Sequence, residues 1–466
     1  MRAYLINPDN PVVSLTKVGR WTKFNRYKVW KPLSLLTLAS LTPPAWELEV
    51  IDENLARVDY RRLARPDVVG LTAFTSQATR AYEIAAHFKA LNVPVVMGGI
   101  HASMCPDEAL SHVDAIVTGE GESVWPEVLR DVEAGSLQRM YAGGFTPPKD
   151  IPAARHDLLA GEYFVGAIQV TRGCPLRCNF CSVTAFNGGK FRHRPIEQVM
   201  AELETIKEHI ILFVDDNLIG TRSDHIAYSK SLFREMIRRG LTTAWTAQVT
   251  INFADDEELL QLARDAGCVS VFIGFESPTP EGLAAVHKRF NIQNGRHIPT
   301  AVSRIQQHGI VVVGSFIMGI DTDRPGIGET LALACEQYGI DVASIMILTP
   351  LPGTALYAEM KGENRIIADD YPQDWQYYTL SHPVASYKHF TWNELIQEMR
   401  TFNELYYSYP KILGRFVRTA RNNSRRPSNA VRGLLANLSF RFSHLADRKV
   451  YRERERRSQI SRLSAS

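Results

Sequence analysis

The chain has 466 residues, 45% hydrophobic and 22% charged, with a net charge of +3. Those proportions fit a globular chain of about three domains with a sizeable core and exclude a disordered or collagen-like one. Six cysteines are too few for a disulfide scaffold, and no apolar run approaches the length of a membrane span.

The N-terminal third alternates short apolar runs with helical patterns. Ala3–Ile6, Leu48–Ile51, Val68–Leu71, Val95–Met97 and Ala115–Val117 read as strands. The opening residues show no signal-peptide core. Between the third and fourth runs, Ala78, Ala81, Tyr82, Ala85 and Phe88 recur at helical spacing within Gln77–Leu91. Such alternation predicts a doubly wound, Rossmann-like parallel sheet over residues 1–140, with ligands at the carboxyl ends of its strands. Polar and glycine residues fall at those ends: Thr72, Thr75 and Ser76, then Gly98, Gly99 and His101, then Gly119, Glu120 and Gly121. No G-x-G-x-x-G follows the first strand, which argues against a nicotinamide dinucleotide. Residues 141–163 are rich in Gly and Pro and read as a linker.

The stretch Thr171-Arg-Gly-Cys-Pro-Leu-Arg-Cys-Asn-Phe-Cys-Ser182 follows. It sets Cys174, Cys178 and Cys181 within eight residues. Closely spaced thiolates suit zinc or an iron–sulfur cluster. A structural zinc site wants four ligands, and no fourth Cys or His stands at the usual offset. Three thiolates fit a [4Fe–4S] cluster with one iron left open. Cys105, Cys268 and Cys335 are scattered in apolar contexts and read as reduced core thiols of a reducing compartment.

A second alternating series, over 164–360, predicts strands at Val165–Thr171, Ile210–Asp215, Thr243–Gln248, Val269–Phe275, Val311–Met318 and Ala343–Leu348. Helices fall between them, as at Pro195–Glu208 and Asp255–Ala266. Six such units make a partial TIM-like (β/α)6 barrel, whose chemistry belongs at the carboxyl face. Asp215 and Asp216, Gln248 and Glu276 stand at strand ends there, and Gly314 lies in the fifth strand. Acidic residues in such places also serve as plain helix caps. Arg192 and Arg194 read either as an anion clamp or as a solvated basic loop.

The C-x3-C-x2-C spacing, with Phe180 before the last cysteine, resembles the radical S-adenosylmethionine (SAM) enzymes. The run V-V-M-G-G-I-H-A-S with D-A-I-V-T-G-E-G-E, and K-P-L-S-L-L-T-L-A-S-L-T-P upstream, resembles the cobalamin-binding domain attached to many of them. This resemblance spans roughly residues 1–410. It implies SAM on the open iron, with Asp215 or Asp216 at its ammonium, Glu276 at its ribose and Gly314 beside its adenine. Gln248 faces the same mouth. It also implies methylcobalamin held by the N-terminal domain. No D-x-H-x-x-G occurs, so no axial histidine is expected; His101 reads either as a contact or as a hydrogen-bonded loop histidine. The implied chemistry is SAM cleavage to a 5′-deoxyadenosyl radical, hydrogen abstraction from an unactivated carbon and methylation from methylcobalamin. A flavodoxin or ferredoxin would supply electrons.

The last hundred residues, 361–466, read as a helical region with a basic tail. Trp375, Tyr377, Tyr378, Trp392, Tyr406, Tyr407 and Tyr409 read as core or as walls of an apolar substrate pocket. Ile412, Leu413, Phe416, Val417 and Ala420 form one helical stripe; Val431, Leu434, Leu435, Leu438, Phe442 and Leu445 form another. From Lys411 to Arg457, fourteen Lys or Arg face three Asp or Glu, a local charge of +11 that leaves the rest near −8. Such helices fit either an anionic bilayer or the side of the barrel. Nucleic acid is disfavoured, because the tail carries little aromatic interleaving. Within the family the opening I-N-P-D-N-P, the K-P-L-S-L-L-T run and the basic tail look most like the hopanoid C-methylases. That implies a lipid methylase in the cytoplasm, peripheral at the inner membrane face. A cyclase acting on a tetrapyrrole and a non-catalytic cobalamin or lipid sensor are the alternatives.

Overall fold

The computed structural model describes residues 1–10, 31–422 and 427–442. The first sheet is wholly parallel and contains β1 (Arg2–Asn7), β2 (Glu47–Asp52), β3 (Val68–Thr72), β4 (Val95–Gly98), β5 (Ala115–Thr118) and β6 (Met140–Ala142). Its order is β2-β1-β3-β4-β5-β6, so the chain reverses direction across the sheet between β1 and β3. At such a switch point adjacent loops diverge and leave a crevice. The strands read from apolar runs are present within a residue or two. The sixth was not legible, because three residues carry no alternation. It pairs with β5 and buries Tyr141. The stretch expected to be a linker is packed as well: Ala154, Leu159 and Tyr163 join the same core as Leu5 and Val117.

The second sheet contains β7 (Val165–Ile168), then, after the short antiparallel pair β8 (Thr171–Arg172) and β9 (Arg192–His193), β10 (Ile210–Phe213), β11 (Ala244–Val249), β12 (Cys268–Glu276), β13 (Val311–Met318) and β14 (Val342–Ile347). Its order, β14-β13-β12-β11-β10-β7, is sequential and parallel throughout, as a six-stranded partial barrel requires. Helices cover its outside. Val271, Ile273 and Phe275 of β12 point into that helical layer, and the alternate residues Phe272 and Gly274 are half-buried. Gly314 belongs to the outer side too: an added Cβ would meet Ile340 at 3.1 Å and Phe275 at 3.2 Å. Its small size therefore serves strand packing, and the expectation of a gap for adenine on that side is not met.

The C-terminal helices depart most from their apolar stripes. Helix Tyr409–Asn422 buries Ile412, Arg415 and Thr419, while Leu413 is 61% exposed. In the helical segment 427–442, Asn429 and Asn437 face inward and Leu435 is 48% exposed. The reason is the surface they cover. Residues just before β13 and β14 present carbonyls, and polar side chains satisfy them. Asn429 donates to Gly309 O at 3.0 Å, Asn437 to Asp341 O at 3.0 Å and Arg418 to Gly339 O at 3.0 Å. Leu445 lies outside the described residues. The helix pair thus closes the amino-terminal end of the barrel.

Candidate active site

The cysteine loop is built by two acidic residues at the end of β10. Asp215 accepts the backbone N–H groups of Val170 (3.1 Å) and Thr171. Full burial raises its carboxyl to about 7 despite these bonds. Asp216 accepts from Gly173 N at 2.9 Å and from the Asn187 amide at 2.9 Å, gripping the loop at both ends. Gly173 stands at φ +85°, and a Cβ there would lie 2.4 Å from Lys190 O, so only glycine makes this turn. Both aspartates therefore shape the loop.

Cys174 and Cys181 are half-buried and Cys178 is buried, and none is in a disulfide. Burial raises all three thiols, Cys178 to about 12. Three free thiols carried on one loop are a donor set that suits a [4Fe–4S] cluster with one iron left open. Phe180 packs against the barrel core beside them. Glu276, at φ +62°, pairs with Lys288 at 3.2 Å. Burial alone would lower the Lys288 ammonium, but the charges of Glu276, Cys178 and Cys174 raise it above its ordinary value. Lys288 was not singled out from the sequence; it sits in a loop and matches no pattern there. Gln248 is half-buried, on the face opposite the core-facing Ala247 and Val249.

A cavity of about 1060 Å³ lies over the carboxyl ends of the first sheet. This is just above the usual range for ligand and cofactor sites, about 300–1,000 Å³. Thr72, Gly98, Gly99, Gly119, Glu120 and Gly121, all expected at strand ends, border it. Gly99 stands at φ +87°, and a Cβ there would press on the Thr72 hydroxyl at 2.6 Å. The same cavity reaches Ser182, Val183, Phe186 and Asn187, directly after the last cluster cysteine, and Asp216. A polar end formed by Asn7, Asn10, Lys31, Asp52 and Asn54 was not foreseen, because these residues come from segments far apart in sequence. Tyr163 donates to Asp52, whose carboxyl burial pushes upward.

Several expected contacts lie elsewhere. Thr75 and Ser76 do not border the cavity; Ser76 instead donates to Asn10 at 2.8 Å. His101 is fully buried away from it, 2.9 Å from the Tyr82 hydroxyl and edge-on to Trp375. His101, Cys105 and Glu108 each bring one polar atom within 4.8 Å of the others, and Tyr82 donates to Glu108 at 3.0 Å. Arg194 pairs with Glu202 at 2.7 Å, and Arg192 with Glu120, so neither is a free clamp. The aromatic cluster is core: Trp375 and Tyr378 pack on the first domain, and Tyr406 and Tyr407 on the barrel. Tyr409 is exposed.

Comparison with known proteins is consistent with this geometry. Residues 24–129 match the B12 binding domain family and residues 168–334 the Radical SAM superfamily. The chain is 31% identical to a bacteriochlorophyllide d C-12(1)-methyltransferase of Chlorobaculum tepidum, over 78% of this chain and 80% of the relative. It is 30% identical to the hopanoid C-2 methylase of Rhodopseudomonas palustris, over 77% and 69%. Among solved structures, the radical SAM methyltransferase TsrM from Kitasatospora setae, with cobalamin and a [4Fe–4S] cluster bound, superposes with a TM-score of 0.62. It is 19% identical and covers 78% of this chain and 75% of its own. The cobalamin-dependent radical enzyme OxsB gives a TM-score of 0.64 at 16% identity, over 95% and 72%.

Proposed function

The chain belongs to the cobalamin-dependent radical SAM methyltransferases, and from that premise we propose that it methylates an unactivated carbon of an apolar polycyclic lipid, a hopanoid. The observation that carries this reading is one continuous cavity lined both by the glycine loops of the first sheet and by the helix that starts after Cys181. When bound, the cluster supplies the electron that cleaves SAM and cobalamin supplies the methyl carrier. Cys174, Cys178 and Cys181 would hold the cluster, and Lys288 places a positive charge beside their thiolates. Asp216 keeps the loop closed against the cavity, and Gly98, Gly99 and Gly119 let the corrin approach backbone. Leu33, Leu38, Leu55 and Phe186 give the cavity apolar walls, which exclude water from reactive species and suit a hydrocarbon acceptor.

The likeness to a hopanoid methylase supports the acceptor. A tetrapyrrole is the second reading, because a bacteriochlorophyllide methyltransferase matches at 31% identity over 80% of its length, against 30% over 69% for the hopanoid methylase. The test is to incubate the reconstituted enzyme, anaerobically with methyl-labelled SAM and reductant, with a hopanoid or with a chlorophyllide. Label in the hopanoid alone supports the proposal; label in the chlorophyllide alone transfers it to the tetrapyrrole. A flavodoxin or ferredoxin is the proposed donor and the cytoplasm the proposed location. No described helix is long and apolar enough to cross a membrane. Peripheral contact through the basic C-terminal helices is supported by the outward-facing Leu413, Val417 and Leu435. Their place at the amino-terminal end of the barrel makes them an anchor remote from the cavity mouth. Co-sedimentation with anionic against neutral vesicles tests it.

A further inference from the structure

Two arginines flank the cysteine loop. Arg172 in β8 and Arg192 in β9 are direct cross-strand partners, and the loop carrying all three cysteines runs between them. Like charges so placed repel each other. Here both turn toward one carboxylate of the other domain. Glu120, in the loop after β5, accepts from Arg172 at 2.9 Å through one oxygen and from Arg192 through the other. Glu122 takes the second terminal nitrogen of Arg172. The four side chains are only 3–12% exposed and their charges cancel. The joint is reinforced locally: Thr146 N–H donates to Glu120 at 2.8 Å, and the Arg192 guanidinium lies 4.6 Å over the Phe145 ring.

Glu120, Glu122 and Arg172 also border the large cavity. Only two side chains therefore separate the glycine wall at Gly119 from Gly173 and Cys174. We propose that Glu120 is a positioning residue that sets the distance and orientation between the corrin and the cluster by clamping the neck of the cysteine loop to the cobalamin domain. The proposal rests on the cofactor assignment above. Charge-assisted, nearly buried hydrogen bonds suit this task, because they fix direction as well as distance. Loss of one partner leaves the others buried and unpaired, so the joint loosens rather than adapts.

The test uses the full chain, reconstituted anaerobically with cluster and cob(II)alamin, and reads the dipolar coupling between the cob(II)alamin spin and the dithionite-reduced cluster by pulsed electron paramagnetic resonance. Cobalamin affinity is titrated by visible absorbance. E120Q keeps the volume and an acceptor for Thr146 N–H. It is expected to retain wild-type iron, to bind cobalamin at least tenfold more weakly, and to give a weaker, broader coupling. E122Q, which removes the charge from its one contact with Arg172, gives a smaller change in the same direction. The proposal is overturned if E120Q lowers the melting temperature yet keeps wild-type coupling and cobalamin affinity within twofold. Where E120Q does not fold, wild-type coupling in both E122Q and R192K overturns it. A wild-type enzyme that takes up iron but no cobalamin would refute the cofactor reading, and the clamp with it.

Discussion

Asp216 accepts the backbone N–H of Gly173 at 2.9 Å, so the end of β10 holds the residue that immediately precedes Cys174. The same carboxylate takes the Asn187 amide from the far end of the loop. Replacement by Ala leaves the buried Gly173 N–H without its acceptor, at about 1–3 kcal/mol, and frees the half-buried Asn187 amide. D216A is expected to fold with a lower melting temperature and to lose most of its iron on anaerobic desalting. D216N, which keeps one acceptor, is expected to retain more. Iron analysis of the two variants checks the order.

Lys288 and Glu276 form a nearly buried pair beside the cysteines. K288M strands the carboxylate, which costs about 3–5 kcal/mol. Removing a positive charge also disfavours the more negative, reduced cluster, so its midpoint potential is expected to fall. Anaerobic denaturation and a redox titration measure the two effects separately. An unchanged potential would show that Lys288 acts on Glu276 alone.

Arg415 shows where the C-terminal helices, packed on the barrel, depart from their sequence pattern. It lies within a basic run and reads as a surface charge, yet it is 2% exposed. It pairs with Glu336 at 2.7 Å, bonds Asn437 and stacks 3.8 Å over Tyr406. An apolar stripe signals burial only when the covered surface is apolar. Here the helices meet strand-end carbonyls, so polar residues turn inward. R415A is expected to destabilise the chain by about 3–5 kcal/mol, read as a drop in denaturation midpoint, while leaving iron binding intact.

Strands, both domains and the cysteine loop were legible because each rests on local periodicity or spacing. The place of Gly98, Gly99 and Gly119 at strand ends was legible because each follows an apolar run. Side-chain partnerships across domains were not, since Glu120 and Arg192 are 72 residues apart and nothing local pairs them. His101 misled for a related reason: its position follows β4, but its ring turns to Tyr82.

Asp215 predicts a pH signature. Its folded carboxyl, at about 7, lies above the ordinary value of 3.8. The folded chain therefore binds this proton more tightly than the unfolded chain. The resulting stability, up to about 4 kcal/mol, is complete below about pH 4 and is lost as pH rises through about 7. D215N keeps an acceptor for Val170 and Thr171 without the charge. Urea midpoints at pH 5 and pH 8 are expected to differ less in D215N than in the wild type.

One chain holding both a corrin and a three-cysteine cluster beside one shared cavity is the core of this account. Metal analysis of the anaerobically reconstituted enzyme tests it most directly. Four irons and one cobalt per chain are expected, with the iron lost and the cobalt kept when Cys174, Cys178 and Cys181 are replaced by Ala. Zinc in place of iron, or no cobalt in a folded enzyme, would contradict it.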